Sequence, residues 1–185
     1  MKVEFGAKNH LYPMPITLIG ANVSGKPNYI TIAYVGIMGR NSLSVSMNRA
    51  RYTNPGIKEN KTFSVNLPSV EIVKETDYCG LVSGKDVDKA TLFETFYGKL
   101  ETAPMVKECP INMECRLIQT LDFQLGEVFI GEIVETYISE QCLTEGLVDY
   151  TKVHPILFAM QGRGYWKLGD RFANAWEIGE NIKGH

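Results

Sequence analysis

The chain has 185 residues, enough for one domain with a substantial core, and its 44% hydrophobic and 22% charged content place it among ordinary globular proteins. A formal net charge of -2 supplies no broad field for nucleic acid or an anionic membrane surface. No apolar run is long enough to span a bilayer, Met1 to Gly6 carry no signal core, and the four cysteines include no CxxC pair. The totals predict a cytoplasmic protein with reduced thiols, no metal site, and neither nucleic acid nor membrane as partner.

The β-branched runs Pro15 to Val23 and Tyr29 to Val35 flank Ser24-Gly25-Lys26-Pro27-Asn28, a turn-forming pentapeptide, and predict a β-hairpin. From Ser42 to Asn48 the pattern alternates: Leu43, Val45 and Met47 share one face, while Ser42, Ser44, Ser46 and Asn48 share the other. That polar face suits water or a polar ligand. In Arg51-Tyr52-Thr53-Asn54-Pro55, Thr53 is a candidate N-cap with Pro55 in the first turn. A helix starting there would aim free backbone N–H groups at an anion held near Arg51. Thr62 to Leu67 reads as a strand, and Val70 to Tyr78 as a helix closing at Gly80. The loop from Cys79 to Lys89 combines Gly80, Ser83 and Gly84 with Lys85 and Lys89, and leads into a short helix from about Val87. P-loop spacing is absent, yet small residues with lysines form a rim for one phosphate.

Ile111 to Phe123 and Glu127 to Ile138 are predicted as two long strands, with Gly126 at the turn and Gly131 at a bulge or a close backbone approach. Ile156 to Met160 and Gly164 to Gly169 add two short ones. Many strands with few short helices predict a mainly β fold, an antiparallel Greek-key barrel, as a single domain over 1–169. Residues 170–185 form a C-terminal arm able to pack on a dimer partner. A small barrel fills its own interior with side chains, so a ligand belongs outside it, at a mouth or between subunits.

These residues resemble the flavin reductase-like, FMN-binding split-barrel family, and within it the flavoredoxin and archaeal ferric reductase branch. The likeness covers roughly Pro13 to Leu168. It rests on Gly25-Lys26-Pro27-Asn28 followed by Thr31-Ile32-Ala33-Tyr34; on Leu43-Ser44-Val45-Ser46; on Arg51-Tyr52-Thr53 with Ile57; on Phe63-Ser64-Val65-Asn66; and on Cys79-Gly80, Ser83-Gly84 and Asp88-Lys89. Glu114-Cys115 and Ile130-Gly131-Glu132-Ile133 add weaker support. The resemblance implies a homodimer of split β-barrels with one FMN per subunit near the interface. It further implies that Asn28, Thr31, Ile32, Ala33, Tyr34, Ser46, Met47 and Asn48 line the flavin ring and ribityl chain. Arg51, Thr53, Ser83, Gly84 and Lys89, with Cys79 packed beside the loop, would serve the phosphate end. Two departures stand out: Tyr34 replaces a tryptophan common among relatives, and Leu125-Gly126-Glu127-Val128 lacks the family's histidine before its I-G-E strand.

Hydride transfer to a flavin needs alignment more than a titrating side chain, so no catalytic acid–base residue is expected. No dinucleotide fingerprint is present, so NAD(P)H, as donor, would dock transiently over the flavin. A reduced iron or other redox protein is the alternative donor. The readings that stay open are an FMN-dependent oxidoreductase, a flavoredoxin-type electron carrier without small-molecule turnover, a non-redox FMN-holding dimer, and a plain interaction module without flavin.

Overall fold

The computed structural model describes residues 1–123, 126–180 and 182. Leu125, in the stretch without the family histidine, lies outside the described residues, as do 181 and 183–185 of the arm.

A seven-stranded antiparallel sheet dominates. In chain order its strands are β1 (Thr17–Val23), β2 (Lys26–Ile32), β3 (Val35–Gly39), β4 (Ser42–Asn48), β5 (Thr62–Leu67), β6 (Ile111–Phe123) and β7 (Gly126–Ile138). In space they run β2-β1-β5-β6-β7-β4-β3. The ladder is not closed among the described residues. The sheet nevertheless curls, because Ile30 and Ile32 at one end share a single core with Leu43, Val45 and Met47 near the other. Phe63, Val65 and Phe129 fill the middle of that core. The Ser46 N–H donates to the Tyr34 carbonyl at 2.9 Å and draws the chain leaving β2 onto β4.

The strands differ in pattern because they differ in cover. β1 is buried at every position: Ile19 and Ala21 face the barrel core, while Leu18 faces a second core with Tyr29, Cys79 and Phe93. A strand covered on both sides reads as a continuous apolar run. β4 is covered on one side only, so its serines stand half-buried opposite Leu43, Val45 and Met47. Helix α2 (Val73–Leu81), preceded by a 3-10 turn over Val70–Ile72, lies against β2. Helix α1 (Thr53–Asn60) packs on β1.

Several expectations are corrected. The first turn is only Ser24-Gly25, with β2 already begun at Lys26. The run expected to reach Val35 stops at Ile32, and Val35 opens a strand of its own. The helix after Val70 passes through Gly80 and ends at Leu81, and the one expected from Val87 is a 3-10 turn over Lys89–Leu92, capped by the Asp88 side chain. Gly131 serves both expected purposes. The β6–β7 register shifts between Ile130 and Gly131, and a Cβ there would lie 2.4 Å from Phe63 Cζ.

A smaller three-stranded sheet joins Met14–Pro15 to β8 (Ile156–Ala159) and β9 (Gly164–Lys167). The Tyr165 hydroxyl on β9 donates to Asp77 Oδ1 of α2 at 2.6 Å and fastens this sheet to the barrel. The arm is bent and turned rather than helical through Glu180, with Phe172 and Trp176 exposed. No helix among the described residues is long and apolar enough to cross a membrane.

Candidate functional site

The site forms where β2 starts, where β4 hands over to α1, and where the chain leaves α2. Asn28, early in β2, donates from Nδ2 to the Thr53 hydroxyl at 2.8 Å, and both side chains are buried. Thr53 is therefore not the helix cap. Tyr52 holds that position with helical backbone and no side-chain cap bond, and Thr53 is the first helical residue. Its hydroxyl accepts from Asn28 and keeps a proton to donate to a ligand oxygen.

The Asn48 carbonyl accepts from the Arg51 N–H and from Asn54 Nδ2, each at 3.1 Å, which turns the chain into α1 with Arg51 exposed. Asn54 Nδ2 also donates to Glu127 Oε2 at 2.8 Å, and Lys58 Nζ pairs with Oε1 of the same carboxylate. Burial pushes the Glu127 carboxyl up, but the bonds from Lys58 and Asn54 outweigh it and hold the group below the ordinary glutamate value. This network fixes the start of α1 from beneath.

The opposite wall is the loop after α2. The Asp86 and Val87 N–H groups donate to the Ser83 carbonyl at 3.1 and 3.2 Å, which holds the loop in a tight turn. A Cβ on Gly84 would fall 2.1 Å from Asn28 Oδ1 and 2.6 Å from Tyr52 Cδ1, so only glycine lets the loop approach this closely. Between the walls lies a cavity of about 220 Å³, lined by Asn28, Arg51, Thr53, Ser83, Gly84 and Lys89.

Lys89 sets the character of this cavity. It is 3% exposed, and its Nζ donates to the Cys79 carbonyl at 2.8 Å. Among the described residues no carboxylate forms an ion pair with it. Burial holds the ammonium below the ordinary lysine value, and the Arg51 charge pushes the same way. A buried cation with one carbonyl partner, next to a guanidinium, leaves an anion wanting. A phosphate fits. It would accept from Lys89, Arg51 and the Thr53 and Ser83 hydroxyls, which line the cavity from both walls.

The other expected residues lie elsewhere. Ile32 and Met47 point into the barrel core. The Cys79 side chain sits in the second core, where burial pushes its thiol up to about 11 against the pull of Lys89; its carbonyl, not its sulfur, serves the site. Thr31 donates its hydroxyl to the Thr76 carbonyl beneath α2. Asn48 is exposed and caps its own turn, with Oδ1 accepting from the Ala50 N–H at 2.9 Å. Ala33 is half-buried, and Tyr34 beside it is 43% exposed. Tyr34, with Ser46 bonded to its carbonyl, forms a second group at the far end of β2, at most about 20 Å of extended chain from Asn28.

Sequence reasoning missed Tyr12. Its hydroxyl is 2.7 Å from that of Tyr34, its ring stands edge-on to Phe158, and burial and the Tyr34 bond push its phenol up to about 12. No local pattern pointed to it, because the contact depends on the small sheet carrying Met14 alongside Phe158. Tyr52 was legible as part of the Arg51-Tyr52-Thr53 triplet but carried no role.

Residues 9–157 match the model of the flavin reductase like domain. The chain belongs to the flavin reductase-like family. An uncharacterized protein of Archaeoglobus fulgidus is 33% identical over 132 residues, 68% of this chain and 72% of its own. Among solved structures, flavoredoxin from Methanosarcina acetivorans superposes with a TM-score of 0.95 at 46% identity, covering 99% of this chain and 100% of that one. Flavoredoxin of Desulfovibrio vulgaris (Miyazaki F) gives 0.92 at 34% identity over 97% and 100%. The expected fold class, a flavin reductase-like split barrel with a few short helices, is the one observed.

Proposed function

We propose that the protein is an FMN-binding flavoprotein and a flavin reductase-like oxidoreductase. It would take electrons from NAD(P)H or a reduced iron protein and pass them to an acceptor. The observation that carries this reading is the cavity in which buried Lys89, without an ionic partner among the described residues, meets Arg51, Thr53 and Ser83. FMN would supply the hydride and single-electron chemistry. The chain would hold the phosphate through Lys89, Arg51, Thr53, Ser83 and the Gly84 backbone, and present Tyr34, steadied by Tyr12, as an aromatic wall for the ring.

A homodimer is part of the proposal. Ile37 and Met38 on edge strand β3, with Ile118 and Phe123 on β6, are exposed apolar side chains of the kind a second copy would cover. Arm residues Phe172 and Trp176 would pack on that copy. Four buried free thiols suit a cytoplasmic setting. The high identity to flavoredoxins favours, as the second reading, a carrier without small-molecule turnover of its own.

One anaerobic experiment tests these readings. Purified protein loaded with FMN is mixed with NADH, NADPH or reduced ferredoxin, and bleaching of the flavin band is followed. Bleaching by a pyridine nucleotide supports the reductase; bleaching by ferredoxin alone supports the carrier. Failure to retain FMN at about one per subunit removes both. The Arg51→Ala/Lys89→Ala double variant should stay folded and lose most FMN affinity; unchanged affinity would remove the phosphate assignment.

A further inference from the structure

An arginine can grip a phosphate only as firmly as its own backbone is held, and the hold on Arg51 runs back to a buried carboxylate. We infer that Asn54 and Glu127 form a positioning pair for Arg51. Glu127 fixes which way the Asn54 amide faces, and Asn54 then sets the guanidinium over the anion seat. The inference rests on the FMN reading of that cavity, and neither member of the pair lines the cavity itself.

The fold brings the pair together from distant parts of the chain. Strand β7 starts beside the end of β4, with Gly126 opposite Asn48 and Glu127 opposite Met47. Glu127 is thereby buried, 2% exposed, against the turn that runs from Asn48 to Asn54. Within that turn Arg51 is held at both ends of its backbone. Its N–H donates to the Asn48 carbonyl at 3.1 Å, and its carbonyl accepts from the Asn54 N–H at 3.2 Å. The Asn54 side chain closes the turn, with Nδ2 donating to the same Asn48 carbonyl at 3.1 Å and to Glu127 Oε2 at 2.8 Å.

This orientation of the amide leaves an acceptor stranded. Both Nδ2 hydrogens are used, while Asn54 Oδ1 is buried without a partner among the described residues. An orphaned acceptor in a protein interior calls for a reason. Here the reason is Glu127. With the amide turned over, Oδ1 would face an ionised carboxylate and a backbone carbonyl, three acceptors with no proton among them. Lys58, one turn further along α1, pairs with Glu127 Oε1 and keeps the carboxylate ionised. The same ammonium cancels a charge that would otherwise repel a phosphate. Glu127 therefore acts on the cavity through Asn54 alone. A brace built only for the fold would satisfy the amide at both ends; this one commits both donors to the turn that carries Arg51.

The test is a double-mutant cycle against Arg51→Ala, with FMN affinity of the folded protein measured by calorimetry. Asn54→Leu keeps the size of the side chain and removes both donors; Glu127→Met removes one of their acceptors. Each should weaken FMN about 10-fold in the parent background and less than about 2-fold once Arg51 is alanine. Combined, they should be no worse than Asn54→Leu alone, within about 2-fold. A brace that served only the fold would weaken FMN equally in both backgrounds, and that result overturns the inference. Unchanged FMN affinity in the parent background overturns it too. Asn54→Ser replaces Asn54→Leu if the apolar residue prevents folding, with the same expectations. Inorganic phosphate, followed by ³¹P NMR, separates this inference from the flavin reading. A parent protein that binds phosphate but not FMN removes the flavin reading, and the same cycle read with phosphate then decides the positioning pair. A parent that binds neither removes both.

Discussion

Two clusters of buried polar side chains are built on opposite logic. In the sheet, Asn66 donates to the Leu18 carbonyl at 2.8 Å and accepts from the Val106 N–H at 3.1 Å and from Asn112 at 2.8 Å. Glu114 nearby accepts from the Lys99 and Leu100 N–H groups and from the Tyr137 hydroxyl, at 2.8, 2.7 and 2.9 Å. The Val106, Lys99 and Leu100 bonds tie the long excursion between β5 and β6 back to the sheet, and the others join strand to strand. Around the cavity the accounts do not close: Lys89 is as deeply buried but holds one carbonyl. A cluster satisfied from within supports a fold. One left short of an anion is prepared for a ligand.

The largest expected effect breaks the closed cluster. Asn66→Ala strands the Val106 N–H and one of the two Asn112 amide protons, the other staying on the Val106 carbonyl, and removes the side-chain partner of the Leu18 carbonyl; it should cost about 3–5 kcal/mol in urea unfolding. FMN retention in the fraction still folded should be unchanged. A loss below about 1 kcal/mol would mean that the cluster is not structural.

The open cluster should answer in reverse. Lys89→Met removes an unpaired buried charge at the expense of one bond to the Cys79 carbonyl, so apoprotein stability should stay within about 1 kcal/mol of the parent. FMN affinity should fall by about 2–3 kcal/mol, roughly 30- to 150-fold, as expected for one lost charge-assisted phosphate contact. A variant that loses stability and keeps FMN would reverse the comparison. Gly84→Ala tests the junction between loop and cavity. Its methyl group must displace Asn28 or Tyr52, and about 1–2 kcal/mol of stability and about 10-fold in FMN affinity should go together.

The same contrast explains what could be read without a structure. The alternation of Leu43, Val45 and Met47 announced which face of β4 is buried, and the five-residue run Arg51-Tyr52-Thr53-Asn54-Pro55 announced a helix start beside a cation. Both depend on neighbours in the chain. Whether Thr53 caps its helix or answers Asn28 depends on a residue 25 positions away, and the local rule chose wrongly. Cys79 was placed beside the phosphate loop, but only the fold shows that its carbonyl faces Lys89 while its sulfur faces Leu18 and Tyr29. The Tyr12–Tyr34 pair, made between two segments that lie outside the strands and 22 positions apart, left no mark in sequence at all.

The smallest effect is also the most direct reading of the open cluster. The Lys89 ammonium is held below its ordinary value in the apoprotein, so in alkaline solution the folded chain gives up this proton before the unfolded chain does. Between the two pKa values the unfolded state binds more protons, and stability attributable to Lys89 must rise with pH. Below that window both states carry the charge and the cost of burying it stands in full; above about 10.4 both are neutral and it is gone. Buried thiols act with the opposite sign: Cys79, pushed up to about 11, keeps its proton longer in the fold and loses stability as pH climbs. The wild-type curve alone is therefore ambiguous, and the measurement is the difference between wild type and Lys89→Met across pH 8–11. That difference should slope upward for wild type by less than about 1.4 kcal/mol per pH unit, and should flatten when FMN is added. A slope that persists with FMN bound would mean that the flavin phosphate never reaches Lys89.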